Sequence, residues 1–524
     1  MSWKTIAALS LAAALQSAYP ANRLPPCDPD NGGITLPDGF CAVVLADQVG
    51  RARHLAVAPN GDVFVALEDG RGAAARGGVL ALRDTSGDGK ADRIEHFGTA
   101  GGTGIVLGKG VLFFGTGTAV LRYALPAGQL TAAGEPQVVV HDLPAGGHGA
   151  KNLALSTDGS TLFVNIGSPS NSCQLADRAL ESPGKDPCPE LATRAGVWRF
   201  DARGTNQAQP DGKRYATGIR NAVGLALDPA GQPWATQHGR DQLGQNWPKL
   251  FTLEQSAEKP SEELFPLHDG DDFGWPYCYH DAELGHLVLA PEYGGDGKKV
   301  GSCAQKKEPA AVFPAHWAPD GLLFYTGSQF PASYRGGAFI AFHGSWNRAP
   351  LPQAGYRVVF VPFKDGKPAG TYQTFADGFW HENGTGPQHR PVGLALGPDG
   401  SLYVTDDAAW RIRRVIFRGR CTGAYRAGVG GRVWRVTRRD GSSTSSGSRQ
   451  EPRSRSSIRP GAMSERSGSC RGTWFGRPMP GARSISSSCS RRRSGNSSGS
   501  SPRWRARSLP PACCGFPGPS RRPA

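Results

Sequence analysis

The sequence has no apolar run long enough to cross a bilayer. The run at residues 5–15 falls well short of the ~20 residues a spanning helix needs, and no other segment qualifies. Residues 1–417 contain no Cys-x-x-Cys spacing, which argues against a zinc ribbon or a dithiol redox motif. No helical period of comparable length interrupts the short β-type runs in the middle of the chain, so strands are the repeating element. Residues 418–524 contain no lysine and only three acidic residues, Asp440, Glu451 and Glu465, beside 23 arginines. That segment carries a net +20 against +15 for the whole chain, which leaves −5 for residues 1–417. The basic character therefore belongs to the tail, and nucleic-acid binding by the folded part has no support.

What is present is a repeated hairpin. Residues 147–168 read GHGAKNLALSTDGSTLFVNIGS, with apolar runs at 153–155 and 162–166 flanking the turn residues Thr157, Asp158 and Gly159. The unit recurs at 53–69 (RHLAVAPNGDVFVALED), 221–241 (NAVGLALDPAGQPWATQHGRD) and 390–407 (RPVGLALGPDGSLYVTDD), with weaker copies at 102–123 and 317–344. Six hairpins separated by further strands predict an all-β, six-bladed β-propeller over residues 27–417; a sandwich or a single closed barrel is the alternative. In a propeller the loops at one end converge on the central channel, where a binding site is expected.

The ends read differently. Residues 1–21, with Lys4, the apolar run and small residues at Ser17 and Ala18, resemble a secretory signal peptide and predict a periplasmic or secreted protein that does not span the membrane. Export agrees with three locally spaced cysteine pairs, Cys27/Cys41, Cys173/Cys188 and Cys278/Cys303, as expected of disulfides. The Ser/Arg/Gly/Pro composition of 418–524 cannot build a core and predicts an unstructured, dispensable tail. A basic arm is one reading of it. A shifted reading frame of a GC-rich gene is preferred, because arginine comes without lysine and GRVWRVT at 431–437 nearly repeats the closing strand RIRRVIF at 411–417.

Four segments at the expected mouth carry polar groups: His148, Arg220 with Asn221, Trp346-Asn347-Arg348, and His389 with Arg390. Three arginines and a histidine from different blades would make an anion-seeking site, since an arginine fork holds two carboxylate oxygens at once. The competing reading is that each arginine pairs with a nearby Asp or Glu. For any one of them that is the better guess; for three at blade mouths it is not.

Together GGHGAKNLALS, GIRNAVGLALDP, QHGRDQL, GDDFGWPYCY, FHGSWNR and HRPVGLALGPDG resemble the sorbosone dehydrogenase branch of the soluble quinoprotein sugar dehydrogenases, over about residues 36–415. These are six-bladed propellers that carry pyrroloquinoline quinone (PQQ) and calcium. The resemblance implies oxidation of an aldose or sorbosone-like sugar, with a cytochrome c or a quinone as electron acceptor. It implies that His148 is the general base and that Arg220 and Asn221 contact the quinone, Arg220 also polarising it. It implies that the backbone carbonyls of Gly239 and Arg240 hold the catalytic calcium, and that Arg348 and Arg390 grip the cofactor carboxylates. The chain departs from the glucose-oxidising members in two places: Ser168 stands where they orient the histidine with an aspartate, with Asn171 as a possible substitute, and Thr103 lies near a missing glutamine. Both departures argue against glucose. Related secreted dehydrogenases often continue into a haem segment, but no Cys-x-x-Cys-His occurs among the tail's five cysteines.

Residues 84–95, DTSGDGKADRIE, place Asp84, Ser86, Asp88, Asp92 and Glu95 at ligand positions of an EF-hand-type loop, with Lys90 offering its carbonyl. A structural calcium and an acidic hairpin turn are equally weighted readings. Two other function classes stay open: a metal-dependent propeller lactonase, disfavoured by Arg and His at the mouths, and a non-catalytic carbohydrate- or protein-binding propeller.

Overall fold

The computed structural model describes residues 24–70, 76–380 and 388–419. The expected signal peptide and all of the arginine-rich segment beyond 419 lie outside them. Six antiparallel sheets follow one another along the chain, each with four main strands. Their innermost strands are Ala52–Val57, Gly102–Gly108, Leu153–Leu155, Leu225–Leu227, Pro319–Phe324 and Pro391–Leu396. Each touches the next in cyclic order, and the sixth returns to the first. This is a six-bladed propeller. The six hairpins read from the sequence are the inner two strands of its six blades, for example Leu55 opposite Val65 and Leu394 opposite Val404.

The ring is closed by the start of the chain. Phe40–Ala46 is the outermost strand of the sixth blade, antiparallel to Arg411–Phe417 from Phe40↔Phe417 onward. The Cys27–Cys41 disulfide ties the preceding segment to that strand, and the other two expected pairs, Cys173–Cys188 and Cys278–Cys303, are also formed.

The core lies between neighbouring blades. Ala395 and Tyr403 of the sixth blade pack with Leu55, Val63, Val65 and Leu80 of the first. Such close approach needs glycine: a Cβ on Gly321 would stand 2.2 Å from the Val392 carbonyl, and one on Gly393 2.6 Å from that of Arg53. At the far end the turns are built by short acidic side chains, as where the Asp228 carboxylate accepts from the amides of Ala230 and Gln232.

Hairpin geometry brings the start of every inner strand and the end of the next one to the same end of the channel. Long insertions at 167–195, at 238–261 and, beyond the strand Glu262–Pro266, at 267–310 carry two of the disulfides and two short helices, Leu243–Asn246 and Leu253–Glu258. The second helix is capped by Thr252, whose side chain accepts from the Gln255 amide.

Candidate active site

His148 lies on a glycine-rich loop just before the inner strand of the third blade. Its Nδ1 is 2.8 Å from the Ser168 carbonyl oxygen and 3.0 Å from the Ser168 hydroxyl. A carbonyl only accepts, so Nδ1 carries the proton and Nε2 is left as an acceptor. Burial and then the Arg220 guanidinium push the imidazole down to about 3, so it is neutral at ordinary pH. Gly167 makes the approach possible, since a Cβ there would meet the His148 Cβ at 2.6 Å. Ser168 orients the histidine by its backbone carbonyl and hydroxyl together; Asn171, the suggested substitute, is occupied elsewhere.

Arg220 is 3% exposed and nearly saturated. It donates to the Asn171 carbonyl (3.2 Å) and Oδ1 (3.0 Å), the Gly239 carbonyl (3.0 Å) and Asp241 Oδ2 (2.9 Å). Those four bonds leave one N–H of Nη1 for a ligand. Burial lowers the Arg220 pKa. Burial opposes ionisation of Asp241, but Arg220 and Arg178 outweigh it and hold the carboxyl far below its usual range. Asn347 donates to Asp241 Oδ1 at 2.7 Å. Beside Arg220, Asn221 is buried and its Oδ1 has no hydrogen-bond partner among the described residues.

The opposite side of the mouth is a chain of charges. Arg53 donates to Asp407 Oδ2 at 2.7 Å and Asp320 Oδ2 at 3.1 Å. His238 Nε2 lies 3.0 Å from Asp320 Oδ1; burial opposes protonation, but that carboxylate raises the imidazole overall. His343 Nε2 is 2.9 Å from Asp407 Oδ1, and its Nδ1 is 3.2 Å from Arg390 Nη1. Arg390 also donates to the Gly344 carbonyl at 3.2 Å and lies 5.1 Å from the centre of the Tyr356 ring. It has no carboxylate partner among the described residues, and neither does Arg348.

The structure thus brings His148, Arg220, Asn221 and Arg390 to one mouth. Arg348 is turned to another use: it donates to the carbonyls of Pro352 (3.2 Å), Ala257 (2.7 Å) and Ala315 (3.1 Å), and Asn347 is the residue of its segment that reaches the Asp241 cluster. The Arg240 carbonyl has no partner among the described residues, whereas that of Gly239 already accepts from Arg220. The 84–95 loop joins two antiparallel strands, Gly78–Arg83 and Arg93–Phe97, with no flanking helices. Its Asp84 carboxylate accepts from the amides of Gly87 and Gly89, and Asp92 from those of Thr85 and Ser86. Among the described residues Cys173, Cys188 and Glu190 lie close together, and the two cysteines are joined to each other.

Sequence reasoning missed Asp241, Arg53, Asp320, Asp407, His238 and His343. Asp241 stood inside the quoted QHGRD and was the available acid for Arg220. Arg53 heads its hairpin as Arg390 does, two residues deeper and so on the same face of the strand.

A family model described as TrAA12-like matches residues 34–415. An uncharacterised protein of Borreliella burgdorferi is 32% identical over 206 residues, which are 38% of this chain and 48% of that protein. A pyrroloquinoline quinone-dependent pyranose dehydrogenase of Coprinopsis cinerea is 27% identical over 244 residues, 38% of this chain and 31% of the relative. The chain therefore spans about half or less of the length of the curated relatives it matches. Among solved structures, the holo PQQ domain of the Coprinopsis cinerea pyranose dehydrogenase superposes with a TM-score of 0.61 at 19% identity, covering 76% of this chain and 99% of that one. A calcium structure of a Trichoderma reesei family AA12 enzyme gives 0.60 at 20% identity, covering 74% and 97%. At these identities the superpositions speak to the fold.

Proposed function

The chain belongs to the TrAA12-like family, and from that premise we propose that it is a PQQ- and calcium-dependent dehydrogenase oxidising a sugar hydroxyl. One observation carries the reading: a neutral histidine with its proton locked on Nδ1, so that Nε2 is a free acceptor, at a mouth that also presents an arginine without a carboxylate.

The residues fit the cofactor. Arg390 offers a guanidinium with no acidic partner among the described residues, Asn221 a buried carbonyl oxygen without a partner among them, and Arg220 one remaining N–H. A planar tricarboxylate with ring carbonyls answers the two arginines, whereas the Asn221 oxygen, an acceptor, answers a donor such as the cofactor's pyrrole N–H or a sugar hydroxyl. For calcium the Arg240 carbonyl is open, and the Gly239 carbonyl would be shared with Arg220. Arg348 supports the loop instead of contacting the cofactor. When bound, PQQ supplies a two-electron hydride acceptor and calcium a Lewis acid beside it.

The chain's own work is proton transfer and electrostatics. His148 Nε2 takes the hydroxyl proton as the C–H hydrogen leaves as hydride, so the alcohol carbon becomes a carbonyl. The Ser168 carbonyl keeps Nδ1–H aligned and shares the charge of the imidazolium that forms. Arg220, rigid on four bonds, aims its last N–H at developing negative charge without reorganisation. The substrate class is an aldose or a sorbosone-like sugar, and the acceptor a cytochrome c or a quinone. Three disulfides support a secreted or periplasmic setting, and no helix of the described residues is long and apolar enough to cross a membrane.

The test is reconstitution. Purified protein given PQQ and calcium should shift the cofactor spectrum and reduce a dye when aldoses or sorbosone are added. Absence of both responses overturns the proposal.

A further inference from the structure

The loop that carries His148 is unusually dependent on cations. Gly146 and Gly147 both adopt left-handed backbone, and together with Gly149 they leave the loop little stiffness of its own. Arg194 donates to the carbonyls of Ala145 and Gly146, and Lys151 Nζ donates to the Gly149 carbonyl at 2.9 Å. Gly149 is the neighbour of His148.

Lys151 is 1% exposed, and no acidic side chain pairs with it among the described residues. Its backbone is clamped by the second blade. The Lys151 amide donates to Thr103 Oγ1 at 2.9 Å, and its carbonyl occupies the space that a Cβ would take at Gly104 (2.1 Å) and Gly115 (2.2 Å). A residue so fixed cannot drift, and its side chain transmits that rigidity to Gly149. Burying an ammonium without an anion is unfavourable, so a structural role alone is better served by an apolar side chain of the same volume.

We propose that Lys151 is a positioning residue that braces the His148 loop against the second blade through the Gly149 carbonyl. This rests on the reading of His148 as the base. Burial and then the Arg194 charge push the Lys151 amine down to about 8. Arg194 is the charged group that bears on it. From the second blade the Thr103 hydroxyl, Gly104 and Gly115 meet the Lys151 backbone, and His54, bonded to the Thr103 carbonyl, is itself held neutral by burial. A charged donor makes a hydrogen bond about twice as strong as a neutral one, so the brace slackens as the amine deprotonates.

The experiment uses the PQQ-loaded full chain, with Lys151→Met and Lys151→Arg. Hydrogen exchange across 145–149 should speed up about tenfold or more in Lys151→Met, the worth of a charge-assisted hydrogen bond, while cofactor retention stays within about twofold. Turnover of the native enzyme should fall as pH rises through about 8, and Lys151→Arg should carry activity well past that point because arginine keeps its proton. Unchanged exchange in Lys151→Met, or the same alkaline fall in Lys151→Arg, overturns the proposal. If Lys151→Met does not fold, the pH profiles of the native enzyme and Lys151→Arg decide alone. A His148→Gln control that keeps full turnover would instead defeat the reading of the base, leaving the exchange result to judge the brace.

Discussion

His148 and His343 face the same channel mouth but are held by opposite means. His343 gives its Nε2 proton to the Asp407 carboxylate, which Arg53 also engages, so its surroundings alternate in charge from Asp320 round to Arg390. His148 gives its Nδ1 proton to a backbone carbonyl, with a guanidinium as its strongest charged neighbour. A carboxylate fixes the tautomer with a charged partner, and a carbonyl fixes it with a neutral one. The mouth is thus divided between a charge-balanced frame, which orients Arg390, and a charge-poor pocket, which keeps a base unprotonated.

The largest expected effect strikes the frame. Asp407→Asn removes one of the two close carboxylates of Arg53 and the carboxylate on His343, and should cost about 2–3 kcal/mol in denaturant unfolding, because Asp320 alone is left to pair with the buried Arg53. Ser168→Ala, on the other side, should cost about 1 kcal/mol or less, since the backbone carbonyl stays. Equal costs would erase the distinction between the two sides.

Turnover separates them in the other direction. His148→Gln should lose about a hundredfold or more in turnover while retaining PQQ, whereas His343→Gln should mainly weaken cofactor retention through Arg390. If both lost turnover alike with cofactor bound, His343 would belong to the chemistry.

The arginines sharpen the contrast. Arg390→Ala should lower cofactor affinity by about tenfold or more, measured by equilibrium titration, with little change in unfolding, since no carboxylate loses its partner. Arg220→Ala should weaken retention and also slow turnover of the reconstituted enzyme, leaving Asp241 with Arg178 as its paired arginine. Normal affinity in both variants would remove the clamp.

The pH dependences are of opposite sign. His148 folds with its pKa moved from 6.5 down to about 3, so the unfolded chain takes the proton first. Stability from this group therefore rises with pH across that window and is flat above it, and turnover should show no acid limb near 6.5 that His148→Gln abolishes. Glu263 is moved from 4.5 up to about 8 by burial, so the folded chain holds the proton longer. Its contribution is full below 4.5 and is lost as pH rises to about 8. Glu263→Gln should flatten that slope and be close to neutral at low pH, as unfolding midpoints across pH would show.

Much of this frame was legible in the chain because the hairpin repeats. Alternating apolar residues, a turn rich in Asp, Asn and Gly, and a glycine at each crowded strand crossing mark the blades directly, and they place His148, Arg220, Asn221 and Arg390 at one end. Arg348 was harder to place from sequence, because its neighbours are at the mouth while its own guanidinium donates to three loop carbonyls. The 84–95 acids have the spacing of a metal loop, and in the fold Asp84 and Asp92 also cap the amides of their own turn.

By itself the sequence determined the repeat, the six blades, the three cysteine pairs, and the uneven division of charge between the folded part and the tail. Those follow from local pattern, composition and spacing, which need no partner from far along the chain. Only the tertiary structure decided which acid meets which base. Arg53 finds Asp320 and Asp407 from more than 260 residues away, and Arg220 meets Asp241 across the open end of a hairpin, 21 residues on. The protonation of His148 follows from those pairings, because a pKa is set by burial and neighbouring charge, and neither is written in the order of residues.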